Sequence, residues 1–345
     1  MPEGRETTIY DIAKLLNVSV ATVSRGLQNS PAIHQDTRKR VIEAATLLGY
    51  RSNVVATSLR RGQTHTIGLL VPRLNGHFMS SLLAGIEGAA SKKGFDIIIA
   101  QSLDDVEKEK EKAAILFNKR IDGLLIFPYY KNEYLDYLDP FFLRKIPVVF
   151  LDRTPYKKEI VSVVIDNYEA AYNITTHLIE QGCRRIMHIG GNVAINIYKE
   201  RFEGYRKSLE YHGLKFVNKL YFASALTAAA GTEAGKYILK LPTSKRPDAV
   251  FAANDLAAVY CMLAVKAEGI LIPHDIAFAG FDNEAIGMVV EPNLTTVNYS
   301  GDFMGITAAN SLINRIQGKG DLLLDEAISL QANIVVRDSS LKNKD

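Results

Sequence analysis

A chain of 345 residues suits two or three domains, and 47% hydrophobic content supplies a sizeable core. The net charge is only +3, yet residues 1–65 hold nine Lys/Arg against five Asp/Glu, a basic head on a near-neutral body that suits local contact with nucleic acid. Cys183 and Cys261 have no metal-ligand spacing, so a zinc site and a disulfide framework are unsupported, and a polar start with no long apolar run sets the expectation of a cytoplasmic chain without membrane contact.

Thr7 to Gln28 reads as two short helices around a tight turn. Thr8 and Asp11 have capping-box spacing, and Ile9, Ile12, Ala13 and Leu16 recur at helical intervals. Asn17-Val18 breaks the pattern, Ser19 caps a second helix, and Val20, Val23 and Leu27 form its apolar stripe. A third helix is predicted from about Gln35 to Leu48, closed by Gly49. Helix–turn–helix at this scale places its second helix in the major groove of double-stranded DNA.

Beyond Arg61-Gly62, short apolar runs alternate with helical patterns. The runs are Thr66–Pro72, Phe95–Gln101, Asp122–Pro128, Pro147–Asp152, Ser162–Asn167, Arg185–Gly191, Asp248–Asp255 and Asp275–Asn283. This alternation implies parallel sheets covered on both faces, and so many units fit two α/β lobes better than one. Asn254-Asp255 and Asp282-Asn283 end two of the strands, where such sheets bind ligands. Their side chains suit either vicinal hydroxyls or plain helix capping, and spacing alone does not choose.

The segments VSVATVSRGLQ, LGYRSNVVATSL, HTIGLLVP, VVIDN, the IGG of RRIMHIGG, ERFEGY, VFAANDL, GFDN and PNLTTV follow one another from about Thr7 to Arg337. In this order they closely resemble the lactose-repressor (LacI/GalR) family of bacterial transcription regulators. The resemblance implies an all-α helix-turn-helix head over residues 1–50 and a hinge over 51–65. It implies a two-lobed α/β core over 66–345, like the periplasmic sugar-binding proteins, with two parallel sheets. The chain would cross between lobes three times, giving an N-lobe of about 66–166 and 297–325 and a C-lobe of about 167–296 and 326–345.

Roles carry over by position. Val20 and Ala21 open the recognition helix, where apolar side chains can meet thymine methyls but form no bidentate bonds. Arg25 matches the arginine that pairs with guanine or phosphate, unless it is simply solvated. Tyr10, Ser19, Thr22 and Ser24 match phosphate-contacting positions, which orient without specifying. His34 stands where a serine cap is usual, with Asp36 in the first turn to favour the helix dipole. Gly26 should weaken its helix by about 1 kcal/mol, and the sequence offers no reason for it. Asn53 to Arg60 matches the hinge, with Leu59 as the minor-groove wedge. For the effector cleft, Arg201 matches the ligand-gripping arginine, with a structural ion pair as the alternative. Asn254 and Asp282 match positions that hold hydroxyls. Phe78 and His77 match the N-lobe wall and Phe251 the C-lobe wall, with core packing as the alternative for the aromatics; Tyr129 and Tyr130 are weaker candidates.

The expectation is a transcriptional repressor: a homodimer on a near-palindromic operator, controlled by a small-molecule effector, a carbohydrate or its derivative, between the lobes. The tail from Arg337 shows no leucine heptad for tetramer formation. Two rivals are weaker. A solute-binding protein would not need the head. An α/β enzyme would show a phosphate loop, a metalloprotease motif or a serine elbow, and none occurs. No metal, cofactor or catalytic residue is expected.

Overall fold

The computed structural model describes residues 7–50, 63–74, 76–128, 132–153, 161–319 and 327–342. Contacts divide the chain into two compact units, Met1–Thr64 and His65–Asp345.

The first unit contains α1 (Ile9–Leu16), α2 (Val20–Leu27) and α3 (Gln35–Leu47) around Ile12, Val23, Val41 and Ala44. Local chemistry sets the boundaries. The Asp11 carboxylate accepts from the Thr8 backbone N–H at 2.8 Å and from its hydroxyl at 2.7 Å. Asn17 closes α1 in the left-handed region at φ 53°, and Ser19 Oγ accepts from Thr22 N at 3.1 Å to open α2. His34 caps α3 weakly, its Nδ1 lying 3.5 Å from Asp36 N, at the limit of useful geometry. Gly26 now has a reason: a Cβ there would lie 3.1 Å from Val41 Cβ, so the glycine lets α2 approach α3 closely.

The second unit contains two six-stranded sheets. The first is built from β1 (Thr66–Val71), β2 (Asp96–Gln101), β3 (Gly123–Ile126), β4 (Val148–Leu151), β5 (Val161–Ile165) and β11 (Ala327–Leu330), in the order β2-β1-β3-β4-β5-β11, all parallel. The second is built from β6 (Ile186–Gly190), β7 (Tyr221–Ala223), β8 (Ala249–Ala252), β9 (Ala277–Phe281), β10 (Thr295–Asn298) and β12 (Asn333–Val335). Its order is β7-β6-β8-β9-β10-β12, with only the β10–β12 pair antiparallel. Both are doubly wound, so each offers a ligand site beyond the carboxyl ends of its strands. The inner strands β3, β4, β6, β8 and β9 are buried along their whole length, which is why they read as unbroken apolar runs.

Helices α4 (His77–Lys92), α5 (Val106–Asn118), a short α6 (Asp139–Leu143) and α12 (Gly301–Ile316) lie with the first sheet. With the second lie α7 (Asn167–Glu180), α8 (Asn196–Tyr211), α9 (Ala228–Lys240), α10 (Asp255–Lys266) and a short α11 (Ile286–Val289). The chain passes between lobes after β5, after β10 and between β11 and β12.

The third passage corrects the expected boundary. Residues Ala327–Leu330, assigned to the C-lobe, pair in parallel with Ser162–Ile165 and finish the N-lobe sheet. They form an edge strand with alternating exposure, and such a strand carries no continuous apolar run to mark it.

Candidate functional site

In the head, α2 buries Val23 and Gly26 and exposes Ala21 and Arg25, four residues apart on one face. Tyr10 on α1 is 68% exposed. Ser19 is exposed, and Thr22 and Ser24 are half-buried. Ser19 and Thr22 also bond one another, Oγ to Oγ1, at 2.8 Å, so capping engages both. Val20 is half-buried and packs on the head's core, which leaves less of it for a partner than Ala21 offers. Among the described residues, no ion pair neutralises Arg25, Arg38, Lys39 or Arg40. Asn53, Leu59 and the other hinge positions from 51 to 62, like Tyr129 and Tyr130, lie outside the described residues.

The residues expected to line the cleft gather around Arg201, on the second turn of α8 and 2% exposed. Its Nε donates to Asn167 Oδ1 at 2.9 Å and its Nη1 to the Ala253 carbonyl at 2.7 Å. The guanidinium lies 3.5 Å from the centre of the Phe281 ring, a cation–π contact that fixes its plane. Asp282 Oδ1 is 3.6 Å from Nη1 and also accepts from the Tyr299 hydroxyl at 3.1 Å. Asp282 sits at φ 99°, a strained backbone for a non-glycine residue, which the arginine and tyrosine contacts hold in place. Tyr299 lies on the second passage between lobes, and its ring is 4.8 Å from that of Phe78 at the start of α4. Arg201, Asp282 and Phe78 are thus brought together through Tyr299. His77 is exposed, and its backbone N–H donates to both carboxylate oxygens of Glu284, at 2.9 and 3.1 Å. Glu284 therefore reaches from the C-lobe to the N-terminus of an N-lobe helix.

Two expected cleft residues have structural duties. The Asn254 Oδ1 accepts from Ala257 N at 3.0 Å and caps α10, while Nδ2 donates to the Leu226 carbonyl at 2.9 Å. Asp255 is wholly buried and accepts from the Thr296 hydroxyl at 2.6 Å and from Glu284 N at 2.7 Å, tying α10 to β10 and to the loop after β9. Phe251 is a correction. It is 0% exposed in the middle of β8, opposite His188 in the sheet register, with the two rings 4.8 Å apart. It belongs to the core and offers no face to a ligand. His188 has the same fate: burial lowers its pKa to about 3, so it is a neutral core side chain.

The sequence reading missed four groups. Asp152 and Arg153, at the carboxyl end of β4, are each 9% exposed or less, and Asp152 Oδ1 and Arg153 Nε have no hydrogen-bond partner among the described residues. Arg153 Nη1 pairs with Asp104 Oδ1 at 3.1 Å. Glu200, beside Arg201, is raised to about 7 by burial first and then by the Asp152 charge. Asp282 is raised to about 7 by burial, with Arg201 pulling it down and Asp152 adding to the rise. Tyr299 completes the set. The available signal was the acid that ends PVVFLD and the one that opens ERFEGY.

A compact helix-turn-helix joined to a core of two doubly wound lobes defines a DNA-binding regulator with a ligand-binding-type core. The model described as "Bacterial regulatory proteins, lacI family" matches residues 8–53, and that described as "Periplasmic binding protein-like domain" matches 175–340. The transcriptional repressor PurR of Aliivibrio fischeri (strain MJ11) is 32% identical over 337 residues, covering 97% of this chain and 98% of PurR. The NTD biosynthesis operon regulator NtdR of Bacillus subtilis (strain 168) is 31% identical over 333 residues, covering 96% and 99%. Among solved structures, a complex of the transcriptional regulator CelR with cellobiose matches with TM-score 0.72 at 28% identity, over 97% of this chain and 100% of that one. A lac repressor dimer bound to operator and the anti-inducer ONPF matches with TM-score 0.88 at 24% identity, over 98% and 100%, a likeness of fold. The chain belongs to the lacI family of bacterial regulatory proteins and is a DNA-binding transcriptional regulator. No helix among the described residues is long and apolar enough to cross a membrane.

Proposed function

We propose that this regulator represses transcription as a homodimer on a near-palindromic operator, and that a small hydroxylated effector, a sugar or sugar derivative, binds between its lobes. Two-fold protein symmetry would set the symmetry of the half-sites. In the head, Ala21 and Arg25 read base edges, with Val20 in a smaller share. Tyr10, Ser19, Thr22 and Ser24 position the head on phosphates, and Asn53 and Leu59 keep the hinge roles that the family resemblance implies.

One observation carries the effector reading. Among the described residues, Asp152 Oδ1 lacks a donor and Arg153 Nε lacks an acceptor, both buried and on adjacent residues. Leaving buried polar atoms unpaired is costly, and hydroxyl groups, which donate and accept, suit atoms of either kind. Arg201 and Asp282 face the same cleft with a planar donor fork and a carboxylate, Phe78 supplies an aromatic wall, and Asn254 and His77 stand alongside. The similarity to CelR, whose solved structure is a complex with cellobiose, supports a carbohydrate effector. The effector controls DNA affinity by preferring one arrangement of the lobes.

The test is thermal unfolding against a panel of sugars, sugar phosphates and nucleobases. A ligand at about 100 times its Kd stabilises the fold by about 2.7 kcal/mol. The expected result is a clear upward shift with a sugar or derivative that vanishes in Arg201→Ala and Asp282→Ala. A panel without any shift contradicts it.

A further inference from the structure

The loop after β9 turns on three consecutive residues that face three different partners. Asp282 meets Arg201 and the Tyr299 hydroxyl, and the Glu284 carboxylate takes the His77 N–H at the start of α4. Asn283, between them, is held by two residues remote in sequence. Its Oδ1 accepts from Arg337 Nη2 at 2.6 Å, and its Nδ2 donates to Asn298 Oδ1 at 3.1 Å. Arg337 lies just beyond β12, and its Nη1 donates to the Leu294 carbonyl at 2.7 Å. One planar fork of donors thus ties the turn after β9 to the residue that precedes β10. The turn needs such a restraint, because Asp282 is at φ 99° and Asn283 at φ 49°. The left-handed region suits asparagine, but Asp282 is outside the usual regions, and strain of that kind persists only where the surroundings impose it.

We infer that Arg337 is a positioning residue for effector binding. By gripping Asn283 it fixes the strained turn that presents Asp282 to the cleft and Glu284 to the facing lobe. The inference rests on the cleft being the effector site, and it gives the last segment of the chain a part in that site. A purely structural duty, holding the tail in place, does not require this side chain. β12 pairs with β10, Ser339 Oγ donates to the Phe278 carbonyl at 2.7 Å and accepts from Thr295 N at 2.8 Å, and Ser340 Oγ bonds Thr295 Oγ1 at 2.6 Å. The tail is therefore anchored by its neighbours, and the Arg337 fork is left to hold the turn. The backbone N–H groups of the turn report on that hold. Asp282 N donates to the Val297 carbonyl at 3.0 Å, Asn283 N to Thr296 Oγ1 at 3.3 Å and Glu284 N to Asp255 Oδ2 at 2.7 Å.

The experiment is a double-mutant cycle on ligand Kd, read by calorimetric titration of the full chain. The probes are D-glucose, D-ribose, D-xylulose, cellobiose and glucose 6-phosphate, and the one that binds wild type most tightly is carried through the variants. Arg337→Met removes the fork. Asn283→Gly breaks the same bridge from its other end, keeps the left-handed backbone accessible and leaves the Leu294 carbonyl paired. Each should raise Kd about tenfold, and the double variant should raise it no further than the larger single, because both remove one link. Arg337→Lys keeps the charge but reaches one acceptor at a time, so its Kd should fall between wild type and Arg337→Met. Hydrogen exchange at residues 282–284 of the ligand-free chain should be about tenfold faster in both single variants. Unchanged exchange there overturns the inference. So does a variant that loses stability while Kd stays the same, or a double variant whose effects multiply; both leave the effector cleft intact. If every probe is silent on wild type, the inference and the carbohydrate reading of the cleft fall together.

Discussion

The head and the cleft solve opposite problems. On α2, Ala21 and Arg25 are exposed, and Arg25 has no acidic partner among the described residues. Its charge is held in water until DNA arrives, so the head's affinity must depend steeply on salt. In the cleft, Arg201 is buried, and its guanidinium is already engaged by an amide, a carbonyl, a carboxylate and an aromatic face. On the proposed roles, the head recognises with groups that are free, while the cleft recognises with groups that are pre-positioned and coupled. A substitution in the head should change binding and little else. One in the cleft should change binding, stability and titration together.

The largest expected effect is at Arg201. Arg201→Ala leaves Asp282 buried without its cation, and removing one member of a buried pair typically costs about 3–5 kcal/mol. Chemical denaturation should show a loss of that order, along with the loss of any ligand shift. A fully stable variant that still binds ligand would break the contrast. Next is Arg25→Ala, expected to weaken specific DNA binding by about 1–3 kcal/mol and to relax preference at one base pair. Its thermal stability should stay within about 0.5 kcal/mol of wild type, as for a solvated side chain. Affinity selection on randomised operators checks the first part and calorimetry the second.

Smaller effects sharpen the picture. Gly26→Ala gains helix propensity but presses a methyl against Val41 at 3.1 Å. The net outcome expected from overpacking is a loss of about 1 kcal/mol in the head, readable by denaturing the isolated unit Met1–Thr64 or the full chain. Glu284→Gln weakens the interlobe bond to His77 N; a charge at a helix N-terminus contributes about 0.3–1 kcal/mol, so effector Kd should rise roughly two- to fivefold. Last comes a change of slope. Glu200 is raised from its ordinary 4.5 to about 7 in the folded state. The stability linked to it is present at low pH and lost as pH rises through that window, because the unfolded chain releases the proton first. Glu200→Gln removes this loss, so its stability relative to wild type should increase between about pH 4.5 and 7.

The same contrast governs what could be read from sequence. Head boundaries are set by residues three or four apart, such as Thr8 with Asp11 and Ser19 with Thr22, so the three helices were legible. Gly26 was not, because its reason is Val41 on another helix. In the core, the fully buried strands stood out as apolar runs, whereas three-residue β7 and edge strand β11 did not. Phe251 looked like a wall and proved to be core, since the face it takes follows from the register with β6. Asp152 and Arg153 closed a strand that was visible in sequence, but their unpaired atoms are a property of tertiary placement alone. Asp255 likewise gained its role from Thr296 and Glu284, far away in the chain.

The central claim is that the cleft and the head are energetically coupled. The direct measurement is fluorescence anisotropy of DNA selected from a random pool, titrated with the full chain at fixed salt, with and without the panel compound that most stabilises the fold. Coupling of about 1–3 kcal/mol would change DNA Kd by about 5- to 150-fold, and the change should disappear in Arg201→Ala. A compound that binds the cleft while DNA Kd stays the same would contradict the account.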